Sequence, residues 1–202
     1  MTRIIVTVLL SCMLLACRLT DEARWTEEVK LHDGRKIQVE RYVTRGSSDF
    51  PNPGRGSLGK NYLVYAPMGV HWQNEPRDAA WILSFDIVDG TPYLVIDSAY
   101  YEYCKAHGPE TYDVRFFKWQ NGTWQLVTQD TFPIDSATLN VSRHYWGGTA
   151  AEDANGFMSW SQKATSEPYS DNVAQSLRSW LNERGGRTCG SRLPQLYKKV
   201  PT

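Results

Sequence analysis

One segment of the chain has the spacing of a phosphate-binding loop. Residues 54–61 read Gly-Arg-Gly-Ser-Leu-Gly-Lys-Asn and match both G-x-x-x-x-G-K and G-x-G-x-x-G. Such a loop cradles phosphate with backbone N–H groups, and its chemistry needs a leading buried strand, a following helix and a Ser or Thr that holds magnesium. Here Asn61 stands at the Ser/Thr position, Pro51 and Pro53 precede the motif, and a strand pattern follows it. The context favours a flexible basic loop, with nucleotide binding as an alternative.

Signatures of hydrolytic and metal chemistry are weak. The histidines occur singly, without the H-x-x-x-H or H-E-x-x-H spacing of metal sites, at His32, His71, His107 and His144. A serine hydrolase would need a nucleophile outside a G-x-S-x-G elbow, such as Ser57, Ser98 or Ser142. We therefore predict no catalytic residues, no metal and no cofactor, and keep a hydrolase as the alternative function.

Two acidic pairs also bear on catalysis. Glu27 with Glu28, and Asp86 with Asp89, fall on predicted hairpins. Glycosidase chemistry needs two carboxyl groups that face each other across a cleft. We interpret these four side chains as solvated faces of hairpins.

Two aromatic clusters are the candidates for a ligand surface. They read Tyr-Tyr-Glu-Tyr at 100–103 and His-Tyr-Trp-Gly-Gly at 144–148. Exposed Tyr and Trp side chains bind sugars, peptides or proteins through large apolar faces with polar tips. Core packing is the favoured interpretation, because aromatic side chains fill many β-domain cores. If the chain has a ligand surface, we expect it at Tyr100, Tyr101, Tyr145 and Trp146.

The first sixteen residues have the composition of a signal peptide. Arg3 supplies a positive charge, and residues 4–16 are uncharged and mostly Ile, Val, Leu and Met. A membrane-spanning helix needs about 20 apolar residues, whereas Arg18, Asp21 and Glu22 end this run earlier. Ordinary secretory cleavage favours small residues near the cut, and Leu14 is not small.

The segment ends in Leu14-Leu15-Ala16-Cys17, which resembles the lipobox of bacterial lipoproteins. That resemblance implies diacylglyceryl attachment to the Cys17 sulfur, cleavage before Cys17 and acylation of the new amino terminus. Several acyl chains, each contributing about 0.8 kcal/mol per buried CH₂, would hold the chain on a bilayer. The family's sorting rule implies the outer membrane, facing the periplasm, because Arg18 rather than Asp follows the cysteine.

The two remaining cysteines of the exported part are Cys104 and Cys189. An exported domain with two leftover thiols favours one disulfide. Two buried free thiols are the alternative, because sequence spacing does not show whether the Cβ atoms meet. We predict the Cys104–Cys189 bridge. Neither cysteine has a further Cys or His at metal-ligand spacing in the sequence, which argues against a zinc site.

Length and composition indicate one domain. The chain has 202 residues, 41% of them hydrophobic, and balanced totals of 22 basic and 22 acidic side chains. A chain of this size can bury one sizeable core, and its lack of net charge gives no reason to expect nucleic-acid binding. We divide it into a signal peptide (1–16), a lipidated tether (17–24) and a single domain (25–202).

Three hairpins dominate the predicted domain. Asp33-Gly34, Asp89-Gly90 and Asn121-Gly122 each separate two runs of alternating apolar and polar residues, which is a strong hairpin signal. Further strands are predicted at 61–65 and 137–141, a mobile loop at 46–59, and a C-terminal helix at about 171–184. That helix would begin at Asp171, carry Val173, Leu177, Trp180 and Leu181 on one stripe, and stop at Gly185-Gly186. The predicted class is mainly β: an antiparallel, hairpin-built sheet, as a sandwich or open barrel, with one C-terminal helix.

Residues 25–141 are similar to a set of uncharacterised proteobacterial proteins. The similarity lies in the order of Trp-x-Glu-Glu-Val-x-Leu-x-Asp-Gly-Arg, Asp-Gly-Thr-Pro-Tyr-Leu-Val and Asn-Gly-x-Trp. It implies no activity and no catalytic residues. The expected function is therefore a membrane-anchored envelope lipoprotein whose domain binds or scaffolds an envelope protein, peptide or glycan, and the alternative is a periplasm-facing hydrolase.

Overall fold

A computed structural model of the protein describes residues 21–45, 58–74, 80–97, 114–142, 156–165 and 175–184. Within these ranges lie nine strands and two α-helices. They are β1 (Asp21–Lys30), β2 (Lys36–Arg45), β3 (Leu58–Tyr65), β4 (Val70–Gln73), β5 (Trp81–Val88), β6 (Thr91–Asp97), β7 (Val114–Gln120), β8 (Thr123–Val127), β9 (Phe157–Met158), α1 (Trp160–Thr165) and α2 (Leu177–Arg184). Short 3-10 turns occupy Ala66–Met68 and Gln129–Thr131.

The strands form two open sheets, which confirms the mainly β class. Sheet A has the order β4-β3-β2-β1-β9, and sheet B has the order β5-β6-β7-β8. All neighbours are antiparallel except β9, which runs parallel to β1. β1 begins at Asp21, inside the segment predicted as the tether.

All three predicted hairpins are confirmed. Asp89-Gly90 joins β5 to β6 and Asn121-Gly122 joins β7 to β8, with positive φ at all four residues. Two consecutive positive φ angles define the type I′ turn, whose twist matches the flanking strands. The first hairpin differs, because only Gly34 has positive φ and the Leu31 N–H donates to the Arg35 carbonyl over 2.8 Å. It is a longer loop that closes with a left-handed glycine.

The apolar core lies in two layers. The first lies between the sheets and includes Val29, Val39 and Leu63 of sheet A with Phe85 and Leu94 of sheet B. The second covers the other face of sheet B with segment 132–139 and α2. β5 and β6 are consequently buried on both faces, so their near-continuous apolar runs fit the layer between two others.

The predicted strand at 137–141 does not belong to either sheet. Thr138 makes only an isolated bridge to Ser176. The segment instead covers the edge of β5 through the side chain of Asn140, which accepts the Phe85 N–H over 2.9 Å and donates to the Phe85 carbonyl over 2.8 Å. A side-chain amide therefore satisfies the edge groups that a regular strand would pair.

The predicted single C-terminal helix is also revised. α2 begins only at Leu177, because Gln175 and Ser176 first pair with residues 137–139 in extended conformation. Leu177 and Trp180 of the predicted stripe pack on the core, with Leu181 beside them. Residues 171–174 lie outside the described ranges, and α1 is a second short helix that the sequence pattern did not indicate.

Candidate functional site

The predicted site residues fall outside the part of the chain that the structure describes. This applies to the lipidation residue Cys17, to the cysteine pair, and to the four aromatic residues of the expected ligand surface, namely Cys104, Cys189, Tyr100, Tyr101, Tyr145 and Trp146. Lipidation, the disulfide and that ligand surface therefore remain predictions. Of the loop predicted at 46–59, only Leu58 and Gly59 are described, and both belong to β3.

A buried charge cluster lies on the inner face of sheet A. Glu27 of β1, Arg41 of β2 and Lys163 of α1 are each at most 3% exposed. The Glu27 carboxylate accepts hydrogen bonds from Lys163 Nζ over 2.8 Å and from Arg41 Nη1 over 3.1 Å. Two cations thus share one anion, so the cluster carries one excess positive charge when all three groups are ionised.

Neighbouring groups complete the hydrogen bonding of this charge cluster. Arg41 Nη2 donates to Asn61 Oδ1, and Arg41 Nε donates to the Tyr62 carbonyl, each over 3.1 Å. Lys163 Nζ donates to the Asn140 carbonyl over 2.7 Å, and the Ser142 N–H donates to Glu27 Oε1 over 2.5 Å. The cluster therefore ties β1, β2, β3, α1 and segment 140–142 together.

The ionisation of the cluster reflects a balance between burial and attraction. Burial opposes the charge on Glu27, but Lys163, Arg41 and hydrogen bonds from Lys163 and Ser142 hold the pKa of its carboxyl below the ordinary value. Burial lowers the pKa of Arg41 and of Lys163, although Glu27 opposes both shifts. A carboxylate held ionised by two inward-facing cations acts as a structural anchor.

The interpretation of the acidic pairs as solvated faces is wrong for two of the four residues. Glu27 is fully buried, and Asp86 is 2% exposed. Asp86 accepts the Ile87 N–H over 2.7 Å and faces His32 Nδ1 at 2.9 Å. The pair links the β1–β2 loop to β5, because the His32 N–H also donates to the same carboxylate over 3.2 Å.

The other described candidate residues have structural partners. His71 packs edge-on against Trp119, with ring centroids 5.6 Å apart. Ser142 is 1% exposed. Across the described ranges, no group of three or more His, Cys, Asp and Glu residues could hold a metal ion.

The phosphate-loop motif ends inside a strand. Gly59, Lys60 and Asn61 all belong to β3, where a phosphate loop would begin a helix. Asn61, at the position where magnesium chemistry needs Ser or Thr, is fully buried and bonds Arg41 and the Ala80 carbonyl. These three residues therefore belong to sheet A, and residues 54–57 of the motif lie outside the described ranges.

An open depression of about 630 Å³ lies over the outward-facing side chains of β1, β2 and β3. The strand register places Arg24 beside Tyr42 and Tyr42 beside Tyr62. The two tyrosine rings are 5.2 Å apart, and the Arg24 guanidinium lies 4.5 Å from the centre of the Tyr42 ring. We call this region the tyrosine depression.

The tyrosine depression combines aromatic surface with charge. Arg24 and Lys60 are exposed cations of its lining, Glu40 is an exposed carboxylate, and Tyr42 and Tyr62 are half-buried. Stacking on Tyr42 limits the motion of the Arg24 side chain and leaves its N–H groups available. Such a surface can bind a polar ligand that offers a flat face together with a carboxylate or phosphate.

Sequence reasoning missed this depression although a signal was present. The outward positions 24, 42 and 62 are polar or aromatic and alternate with the inward positions 25, 41 and 61. Their alignment depends on the registers of three strands. β2 and β3 are not joined by a short turn, so the sequence does not indicate which of their residues lie opposite each other.

Searches against protein-family models, curated proteins and solved structures found no match. Among the described helices, none has the length and apolarity needed to cross a membrane.

Proposed function

We propose that this protein is a lipid-anchored lipoprotein of the bacterial cell envelope whose β domain binds another envelope component. The observation that carries the anchor is Leu14-Leu15-Ala16-Cys17 at the end of an uncharged apolar segment. On this proposal Cys17 becomes the first residue of the mature chain and carries the acyl chains. The attachment is to the outer membrane, facing the periplasm.

The position of β1 supports a domain held close to its membrane. β1 begins at Asp21, four residues after Cys17. At about 3.3–3.6 Å per extended residue, the intervening chain spans at most about 15 Å. The proposed ligand is therefore one within reach of the membrane surface.

The tyrosine depression is the proposed binding surface among the described residues. Its paired rings and the cations Arg24 and Lys60 fit an envelope peptide or glycan that carries negative charge. Binding does not require nucleic acid, a metal or a cofactor. The proposed function is that of a binding module.

The anchor is tested by metabolic labelling of the full chain with a fatty-acid probe. We expect labelling of the wild type, loss of labelling in Cys17→Ser, and accumulation of uncleaved precursor when lipoprotein signal peptidase is inhibited by globomycin. Cys12→Ser is the matched control, since it lies in the same leader and should still be labelled. Equal processing of the wild type and Cys17→Ser would overturn the anchor.

The binding surface is tested separately by photo-crosslinking in intact cells. A photoreactive residue at Tyr62 should give defined adducts. Combining Arg24→Ala with Lys60→Ala removes two charged contacts and should reduce the adducts at least about tenfold. The same probe at Lys30, an exposed position of β1 outside the depression, is the control. Adducts of equal yield from both positions would count against the tyrosine depression while leaving the anchor intact.

A further inference from the structure

Among the described strands, β8 has a free edge that differs from the other edges of the two sheets. β8 ends sheet B, and its sequence Thr-Trp-Gln-Leu-Val contains no charged residue. Leu126 is 66% exposed, the more exposed of the two large apolar side chains that lie on the surface of the described residues. An uncharged edge strand with an exposed apolar side chain is a template for pairing with another strand.

Among the described residues, the remaining strand edges are short, covered or charged. Asn140 occupies the edge of β5 through both backbone groups of Phe85. β9 pairs with β1 only at Thr26 and Glu27, and the preceding part of β1 carries the charged residues Asp21, Glu22 and Arg24, which disfavour pairing with another strand. β4, the other end of sheet A, has only four residues. Of the strands that the structure describes, β8 thus has the longest open edge without a charged residue, five residues long.

The hairpin geometry determines which groups of β8 face outward. The pair Gln120–Thr123 closes the two-residue turn, and in such hairpins the closing pair is hydrogen-bonded. Successive residues of an antiparallel strand direct their N–H and C=O groups to alternate edges. Trp124 and Leu126 therefore direct their backbone groups toward the free edge.

We propose that β8 pairs antiparallel with β8 of a second copy of this chain about a two-fold axis at Gln125. This register places Trp124 of each copy opposite Leu126 of the other, so the outward backbone groups of both residues form hydrogen-bonded pairs. The sequence is self-complementary here, since an aromatic residue meets an aliphatic one on one face and Thr123 meets Val127 on the other. Gln125 meets Gln125 on the axis without charge repulsion.

The side-chain packing in one copy suits the same register. Trp124 packs under sheet A, with its Nε1 donating to the His71 carbonyl over 2.7 Å. Leu126 lies on the same face two residues along, where sheet A no longer covers it. The two-fold axis brings the partner's Trp124 beside this uncovered leucine. A self-complementary patch of this kind gives a closed dimer rather than a filament.

Site-directed cross-linking locates the pairing. Antiparallel residues opposite each other in a non-hydrogen-bonded pair have Cα atoms about 4.5 Å apart, which permits a disulfide. Full-length Gln125→Cys, oxidised in isolated membranes, should give a cross-linked species of twice the monomer mass. Gln38→Cys, an exposed glutamine on β2, is the matched control and should give no more of that species than the wild type. No dimer from Gln125→Cys, or equal yields from both variants, would overturn the proposal.

A charge exchange tests the register without introducing a thiol. In the detergent-solubilised full chain, Gln125→Lys and Gln125→Glu should each weaken the dimer at least about tenfold, because like charges then face each other on the axis. Mixing the two variants should restore a dimer, in which the lysine of one chain faces the glutamate of the other. The same pair of substitutions at Gln38 should leave the dimer unchanged. A dimer that is insensitive to both substitutions at Gln125 would place the interface elsewhere and overturn the pairing.

Discussion

At the residue scale, the charge cluster of Glu27, Arg41 and Lys163 dominates the interior. Desolvation makes a buried ion pair weak evidence for stability, yet removal of one partner leaves the others uncompensated. The arrangement is asymmetric, because one carboxylate serves two cations. The consequences of substitution should therefore depend on which member is removed.

Glu27→Gln should lower the free energy of unfolding by about 3–5 kcal/mol, because Arg41 and Lys163 would remain buried without an anion. Lys163→Met should cost less, since it leaves a neutral Glu27–Arg41 pair and keeps the volume of the side chain. Glu28→Gln is the control: the carboxylate is partly exposed, pairs with Lys36 and accepts the Trp160 N–H, which the glutamine oxygen can still accept, so the change should cost at most about 1 kcal/mol. Urea denaturation followed by tryptophan fluorescence measures all three. A larger loss for Lys163→Met than for Glu27→Gln would contradict this account.

The pH dependence of stability should carry the signature of Glu27. Its pKa in the folded protein lies below the ordinary value of 4.5, so the unfolded chain binds more protons in that interval and stability falls as the pH falls. The stabilising contribution of ionised Glu27 is fully present above its pKa in the unfolded chain and is lost as the pH drops through its pKa in the folded protein. Urea midpoints between pH 6 and pH 3 should decline less steeply in Glu27→Gln than in the wild type. Equal declines of the urea midpoint in the two proteins would show that Glu27 does not contribute to the loss of stability at low pH.

Asn140 is the second residue whose interior role can be tested. It is fully buried and bonds Phe85 twice and the Lys30 carbonyl once, so it joins both sheets. Asn140→Ala should cost at least about 2 kcal/mol, because buried backbone groups of β5 would lose their partners. Ser84→Ala is the contrasting control: its buried Oγ has no hydrogen-bond partner among the described residues, so its removal should be neutral or stabilising. Thermal unfolding of both variants makes the comparison.

At the element scale, a close approach between β2 and β3 can be tested through Gly59. A Cβ atom at Gly59 would lie 2.5 Å from Thr44 Oγ1, which accepts the Lys60 N–H over 2.8 Å. Gly59→Ala should therefore cost about 1–3 kcal/mol through crowding. In a Thr44→Ala background the same substitution should cost less, giving a coupling of at least about 0.5 kcal/mol in a double-mutant cycle. Strict additivity would show that the Thr44 side chain does not crowd the added methyl group, which would leave the Thr44 carbonyl oxygen at 3.1 Å as its tight contact.

The elements also show how far local patterns carry. The Asp-Gly and Asn-Gly pairs identified all three hairpins, because left-handed turn residues are a local requirement of the backbone. Segment 137–141 has strand-like residues but serves as a cover for β5, and the short helix α1 lacks an amphipathic pattern that would reveal it. In both cases contacts made with distant residues decide the conformation: Asn140 with Phe85, and Lys163 with Glu27.

At the scale of the whole molecule, a Cys104–Cys189 bridge would close a loop of 85 positions. In the chain-entropy model a loop of this size stabilises by roughly 4 kcal/mol. Thiol titration of the denatured, unreduced mature protein should find neither cysteine reactive, and reduction should lower the thermal midpoint. Two reactive thiols per chain would refute the bridge. The control is the double variant Cys104→Ser with Cys189→Ser, which should unfold at the same temperature with and without reductant.

Local sequence patterns predict the mainly β class and the three hairpins, and they supply the lipobox-like motif that carries the anchor proposal. Each depends on residues near one another along the chain, so periodicity and turn chemistry suffice. Only the tertiary structure showed that Glu27 and Asp86 are buried, because an alternating strand does not reveal whether an inward polar residue will meet a partner. The tyrosine depression likewise exists only because three strands pair in specific registers. Both features depend on pairing between residues that are far apart along the chain. Local sequence patterns do not show which distant residues will pair or in which register.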